Sequence, residues 1–144
     1  MKALVTTLIL SLGIISTAAY ANEKETSNMN MLSQLCKNVF ETKEFNKLDN
    51  YIAKDFVFYK NFSQPLNYVE YKKNLVEQGS SCKKISLLPF ENMIAAGNKV
   101  ALQYTRSCTD ASNITHQRRV MAIAEINAQH KISKIWIVTH EKAD

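Results

Sequence analysis

The sequence predicts a small α+β domain, and three observations carry that prediction. Residues 83–141 read as four successive β-strands joined by short turns. The segment before them repeats its apolar residues at helical spacing. The chain has 144 residues, is 46% hydrophobic and holds only 3 Gly and 2 Pro, which suits one core, is too short for two, and is too apolar for disorder.

The first residues follow an export pattern. Lys2 is a short positive region, residues 3–15 form an apolar run broken only by Thr6, Thr7, Ser11 and Gly13, and Ala19-Tyr20-Ala21 is a small-x-small cleavage site. A spanning helix needs about 20 apolar residues. This run is shorter and is followed by polar Asn22-Glu23-Lys24-Glu25. The expectation is a signal peptide over 1–21 on an exported bacterial protein, periplasmic or secreted, with no membrane association once the leader is cleaved. A retained anchor is the alternative.

Residues 22–28 are polar and read as a flexible tail, and residues 29–144 as the single domain. From Met29, the residues Leu32, Leu35, Cys36, Val39 and Phe40 fall on one helical face, with Asn28 or Asn30 as N-cap and an end near residues 44–46. Cys36 lies on that stripe as a small hydrophobe. Leu48, Tyr51 and Ile52 suggest a short helical turn ending before Asp55, and residues 56–59 a short strand apolar on both sides. Asn67 followed by Glu70 has capping-box spacing. Tyr68, Tyr71, Leu75 and Val76 give that third helix its buried face, with Gly79 as a stop after it.

Residues 85–95 read as a first long strand in which Pro89 imposes an edge or a bulge. Gly97-Asn98 marks a tight turn, after which Val100, Leu102 and Tyr104 alternate with Ala101, Gln103 and Thr105. Residues 109–113 form a turn, 114–126 a strand, 127–130 a turn and 132–140 the last strand.

The formal charge of +5 is scattered, with Lys72-Lys73, Lys83-Lys84 and Arg118-Arg119 set apart by other residues. A nucleic-acid surface needs a concentrated basic stripe, so none is expected. No Cys-x-x-Cys or His-x-x-x-His spacing supports a metal, and no Gly-rich phosphate loop or Ser/His/Asp order supports a cofactor or a nucleophile. Asn61-Phe62-Ser63 and Asn113-Ile114-Thr115 have glycosylation spacing and are expected to be unused behind a bacterial leader.

Strand pairing adds a constellation. A hairpin centred near Ala111 sets Tyr104 opposite Arg118 and Arg106 opposite His116, on the face that carries Val100, Leu102, Val120 and Ala122. The apolar face thus runs into a cationic end, and a slip of one residue would reverse it. The Gly97-Asn98 hairpin brings Cys82 and Cys108 to its open end. A disulfide there closes a loop of about 25 residues, is worth roughly 3 kcal/mol and requires a bulge near Pro89. Cys36 is then the odd thiol.

The order of helix, short helix, short strand, helix and four-strand meander resembles the nuclear transport factor 2-like superfamily, in particular its SnoaL-like and ketosteroid isomerase-like members. Residues 48–59 (LDNYIAKDFVFY) are similar to its helix-into-strand segment, and residues 118–136 (RRVMAIAEINAQHKISKIW) to its final hairpin. The resemblance implies a cone, in which a curved antiparallel sheet of four long strands plus one short wraps about three N-terminal helices around a pocket. It also implies pairing through the outer face of the sheet. In steroid-isomerising members an Asp base follows the short strand and a protonated carboxyl stands in the oxyanion site. The matching positions here are Lys60 and Ala122, and neither can do that work.

Several residues then have two roles open to them. Tyr104, Arg106, His116 and Arg118 form either a pocket end that receives a carboxylate or a solvated sheet end. Tyr51 and Tyr59 fall where the family builds the pocket rim. Asp55 is a general base if buried near a cation, or otherwise a helix-ending carboxylate. His140 is a second candidate base, or a surface histidine near the terminus. Trp136, with Ile132 and Val138 on one strand face and Met121 and Ile123 beside it, is either core or a homodimer patch. The leading expectation is an exported domain that binds a small anionic or amphipathic ligand. The alternatives are an isomerase, cyclase or dehydratase based on Asp55 or His140 with Tyr59 or Tyr104 as donor, and a dimeric interaction module with no ligand.

Overall fold

A computed structural model describes residues 15–61 and 63–141. The leader expected over 1–21 lies for the most part outside them, as does Phe62 of the first glycosylation spacing. The elements are α1 (Ile15–Leu35), a π-turn (Cys36–Phe40), a 3-10 helix (Phe45–Asn50), β1 (Ile52–Lys60), β2 (Leu66–Asn67), α2 (Tyr68–Ser80), β3 (Lys84–Ser86), β4 (Asn92–Ala96), β5 (Lys99–Thr109), β6 (Thr115–Ile126) and β7 (Ile132–Glu141). The sheet runs β2-β1-β7-β6-β5-β3, with β4 also paired to β5. Every pairing is antiparallel except β1 on β7, which is parallel. Among the described residues no helix is long and apolar enough to cross a membrane.

Residues 22–28 are helical rather than a free tail, and neither Asn28 nor Asn30 caps a helix start. Their polarity serves a contact far along the chain. Glu25 Oε1 accepts from Gly97 N at 2.9 Å, and Asn28 Nδ2 donates to Gly97 O at 3.2 Å. Gly97 sits at φ +60° in the two-residue β4–β5 turn, a conformation that favours glycine. Asn28 is fully buried, and its Oδ1 has no partner among the described residues.

The first helix ends at Leu35 as α-helix, earlier than its apolar stripe suggests, widens into the π-turn and is followed after a short turn by the 3-10 helix. Glu41, just past the π-turn, accepts from Leu87 N at 2.8 Å and Leu88 N at 3.1 Å. That clamp holds the loop around the cis Leu88–Pro89 bond. Pro89 cannot donate to a ladder, so the expected 85–95 strand divides there into β3 and β4.

β1 starts at Ile52, so Asp55 lies inside a strand and ends no helix. The Asn67/Glu70 capping box forms as expected. Gly79, by contrast, lies within α2 instead of after it, and its lack of a side chain serves packing: a Cβ there would meet Phe45 Cε2 at 2.6 Å. Tyr71 is buried against Phe56 and Phe58, while Val76 is exposed.

The β5–β6 register pairs Arg106 with Arg118, Tyr104 with Val120 and Cys108 with His116. Each cross-strand partner is therefore displaced by two residues, and the hairpin is centred on Ser112, one residue beyond Ala111. Asp110 explains the displacement: its Oδ1 accepts from Ser112 N and Ile114 N, fixing the turn over residues 110–114 with Asn113 at φ 62°. A shift of two keeps every side chain on its face. In β7 the pairing shifts between Glu125 and Ile126, and this irregularity places Ile132 in the core, away from the outer face that Trp136 and Val138 share.

Candidate ligand cavity

Four inward-facing rows of side chains cross the sheet. Phe58, Ile135, Ala124 and Val100 align as the first row and are all buried. Lys60, Ile137, Ala122 and Leu102 form the second, Thr139, Val120 and Tyr104 the third, and Arg118 with Arg106 the fourth. Period-two alternation puts these on one face, and the rows change from apolar to cationic along the strands.

Helices cover that face and leave a cavity of about 350 Å³. Leu32, Leu35 and Cys36 line it from α1 and the π-turn, and Phe45 from the 3-10 helix. Tyr71, Asn74, Leu75 and Gln78 line it from α2, at the helical spacing that gives one face. The Phe58 and Tyr71 rings pack at 4.6 Å between centroids. A cavity of this size with few convergent polar groups suits a small ligand.

Burial raises the Tyr104 and Tyr71 hydroxyls above their ordinary range, and the nearby Arg106 charge opposes that rise only partly. Burial, aided by Glu41, pushes the Cys36 thiol up to about 12. Arg106 is half-buried, and desolvation lowers its pKa, with Arg118 opposite it adding to the effect. Among the described residues no carboxylate or hydrogen-bond acceptor pairs with the Arg106 guanidinium. None of the described residues that line the cavity is Asp, Glu or His.

Cys82 and Cys108 are disulfide-bonded at the cationic end, with Cα atoms 5.4 Å apart. The irregularity this bond requires is present around Pro89, where a step of six residues from Ser86 to Asn92 faces a step of four from Ser107 to Gln103, and β3 then sets Ile85 beside Cys108. Free Cys36 packs in the same apolar cluster.

Of the residues singled out from sequence, Tyr104, Arg106 and Arg118 meet in the cavity, and the others do not. His116 is exposed and bonds Asp110 Oδ2 at 3.1 Å, which holds that carboxyl below its usual range. Tyr51 precedes β1, where its hydroxyl accepts from Asn38 at 3.4 Å. Tyr59 stacks on Trp136 at 5.5 Å on the outer face, because Phe58 and Lys60 take the inward positions of β1. Asp55 is exposed, and His140 is exposed opposite Arg119 on the outer face. Met121, Ile123 and Val138 are likewise exposed there. Lys60 lines the cavity too, although the sequence gives it no ligand role, and Asn74 and Gln78 carry no sequence expectation. Continuing the Phe56, Phe58 alternation by one step finds Lys60, and the helical spacing from Tyr71 finds the two amides. Among the described residues no cluster of His, Cys, Asp or Glu can hold a metal ion.

No family model matches the chain, and no curated protein matches it. Solved structures do. One from Jannaschia sp. CCS1, described as a SnoaL-like polyketide cyclase, is 10% identical and superposes with a TM-score of 0.69 over 80% of this chain and 86% of that one. Another so described, from Shewanella denitrificans OS-217, is 10% identical with a TM-score of 0.69 over 78% and 90%. An LEH-like epoxide hydrolase of M. tuberculosis is 13% identical with a TM-score of 0.67 over 81% and 85%. Likeness at such identity speaks to the fold alone.

Proposed function

The chain carries the nuclear transport factor 2-like cone fold, and we propose that it uses the hollow of that cone to bind a small amphipathic anion. The observation that carries this is Arg106. It is a half-buried cation without an acceptor among the described residues, standing where an apolar cavity ends. An anion arriving from outside satisfies it, while the ligand's apolar part fills the rows of Leu102, Ala122 and Ala124. A charge-assisted hydrogen bond is worth about 1.5–3 kcal/mol, or roughly 10- to 100-fold in affinity. Isothermal titration with dodecanoate and dodecanol tests this. The acid binds at least ~10-fold more tightly to wild type, and the two bind alike once Arg106 and Arg118 are both replaced by Ala. Equal preference in wild type and variant overturns it.

The acid–base alternative loses its two named bases, since Asp55 and His140 both face away from the cavity. The ligand reading also includes export and self-association. Cleavage after Ala21 would keep Glu25 and Asn28, the two residues that hold the Gly97 turn. The outer patch of Met121, Ile123 and Trp136 suits a second copy of the chain, and sedimentation showing only monomer at working concentration would overturn that part.

A further inference from the structure

We infer that the cavity holds two anion subsites rather than one, and that its ligand carries two acidic groups set apart on an apolar frame. The inference rests on the anion-binding function just proposed and names the class of ligand more narrowly.

Lys60 is the second cation. Its strand turns Phe58 and Lys60 inward, and Lys60 lines the cavity with Ser63 and Gln64 of the following loop. Among the described residues no carboxylate or hydrogen-bond acceptor pairs with its ammonium group. It does not share a place with Arg106. Lys60 aligns through Ile137 and Ala122 with Leu102, four residues before Arg106. That is about 13 Å along the strand direction, with two strands lying between β1 and β5. One carboxylate held between Arg106 and Arg118 leaves Lys60 facing the cavity without a counterion. The cavity wall offers no acid among its described residues to neutralise it. A second acidic group on the same ligand supplies the missing charge, while Ile137, Ala122 and Val120, which lie between the two subsites, receive the frame that joins them.

Dodecanoate and dodecanedioate share a skeleton and differ by one carboxylate, so they separate the two claims. In isothermal titrations at pH 8, wild type binds the diacid at least ~10-fold more tightly than the monoacid, beyond the twofold statistical advantage of having two ends. Lys60→Met keeps the stem and removes the charge. It brings the diacid down to the monoacid's affinity and leaves the monoacid unchanged. Arg106→Met weakens both acids. Equal affinities in wild type, or a Lys60→Met variant that weakens both acids alike, overturns the second subsite while anion binding stands. If neither acid binds wild type, anion binding itself is overturned and the second subsite falls with it.

Discussion

The two ends of the cavity are built on the same strands and do opposite things. At the closed end, Phe58, Ile135, Ala124 and Val100 stand at 8%, 8%, 1% and 0% exposure and continue into Val39, Leu48 and Ile132. At the open end, Tyr104, Arg106 and Arg118 occupy the same inward positions as half-buried or exposed polar groups. Packing holds the first end together. A covalent link, the Cys82–Cys108 bond, together with the Glu41 clamp on Leu87 and Leu88, holds the second. An end that cannot fill itself with apolar side chains, because it must admit a charged group, is fastened from behind.

Stability follows that division. The largest effect is expected at the closed end: Phe56→Ala, at 1% exposure and 5.0 Å from the Tyr71 ring, costs about 3–5 kcal/mol in chemical denaturation. Arg106→Met at the open end stays within about 1 kcal/mol of wild type, since replacing a desolvated charge by an apolar group is close to neutral. A comparable loss at both positions would erase the contrast. Next in size, Cys82→Ser with Cys108→Ser, opening a link of 26 residues' separation, costs about 3 kcal/mol and loosens the open end first, seen as faster amide exchange in β3 than in β7.

The smallest effect lies in the alkaline range. The folded Cys36 thiol has its pKa near 12 against an ordinary 9.0, so the unfolded chain loses this proton first. Its contribution is therefore complete below pH 9 and is lost as pH rises toward 12. Stability should fall by about 1 kcal/mol between pH 9 and 10, with a limiting slope of about 1.4 kcal/mol per unit. Cys36→Ala should remove that early part. Tyr71 and Tyr104, both raised by burial, take over at higher pH with the same sign.

The same contrast explains what could be read from the chain. Alternation along Val100, Leu102, Tyr104 and Arg106 is a local property of one strand, so the face they share was legible, and cross-strand partners misplaced by two residues did not alter it. Which residues stand opposite each other depended on the bonds that Asp110 makes inside its turn, which composition does not reveal. Isolated positions fared worse. The outward turn of Tyr59 follows from where β1 begins, and the burial of Ile132 from an irregularity near Ile126, neither of which has a residue signature. Glu25 and Asn28 looked like solvated tail residues because their partner lies about seventy positions further on.

The parallel seam between β1 and β7 has a bearing on how the molecule comes into being. Residues 57–60 find their partners only at 134–137, so the first long strand waits for a segment more than seventy positions further on before it can be seated. Such distant pairings make folding slow relative to folds built from local contacts. A chain with this connectivity emerges from the ribosome with its first wall unzipped, and it closes only after residues 134–137 have been released.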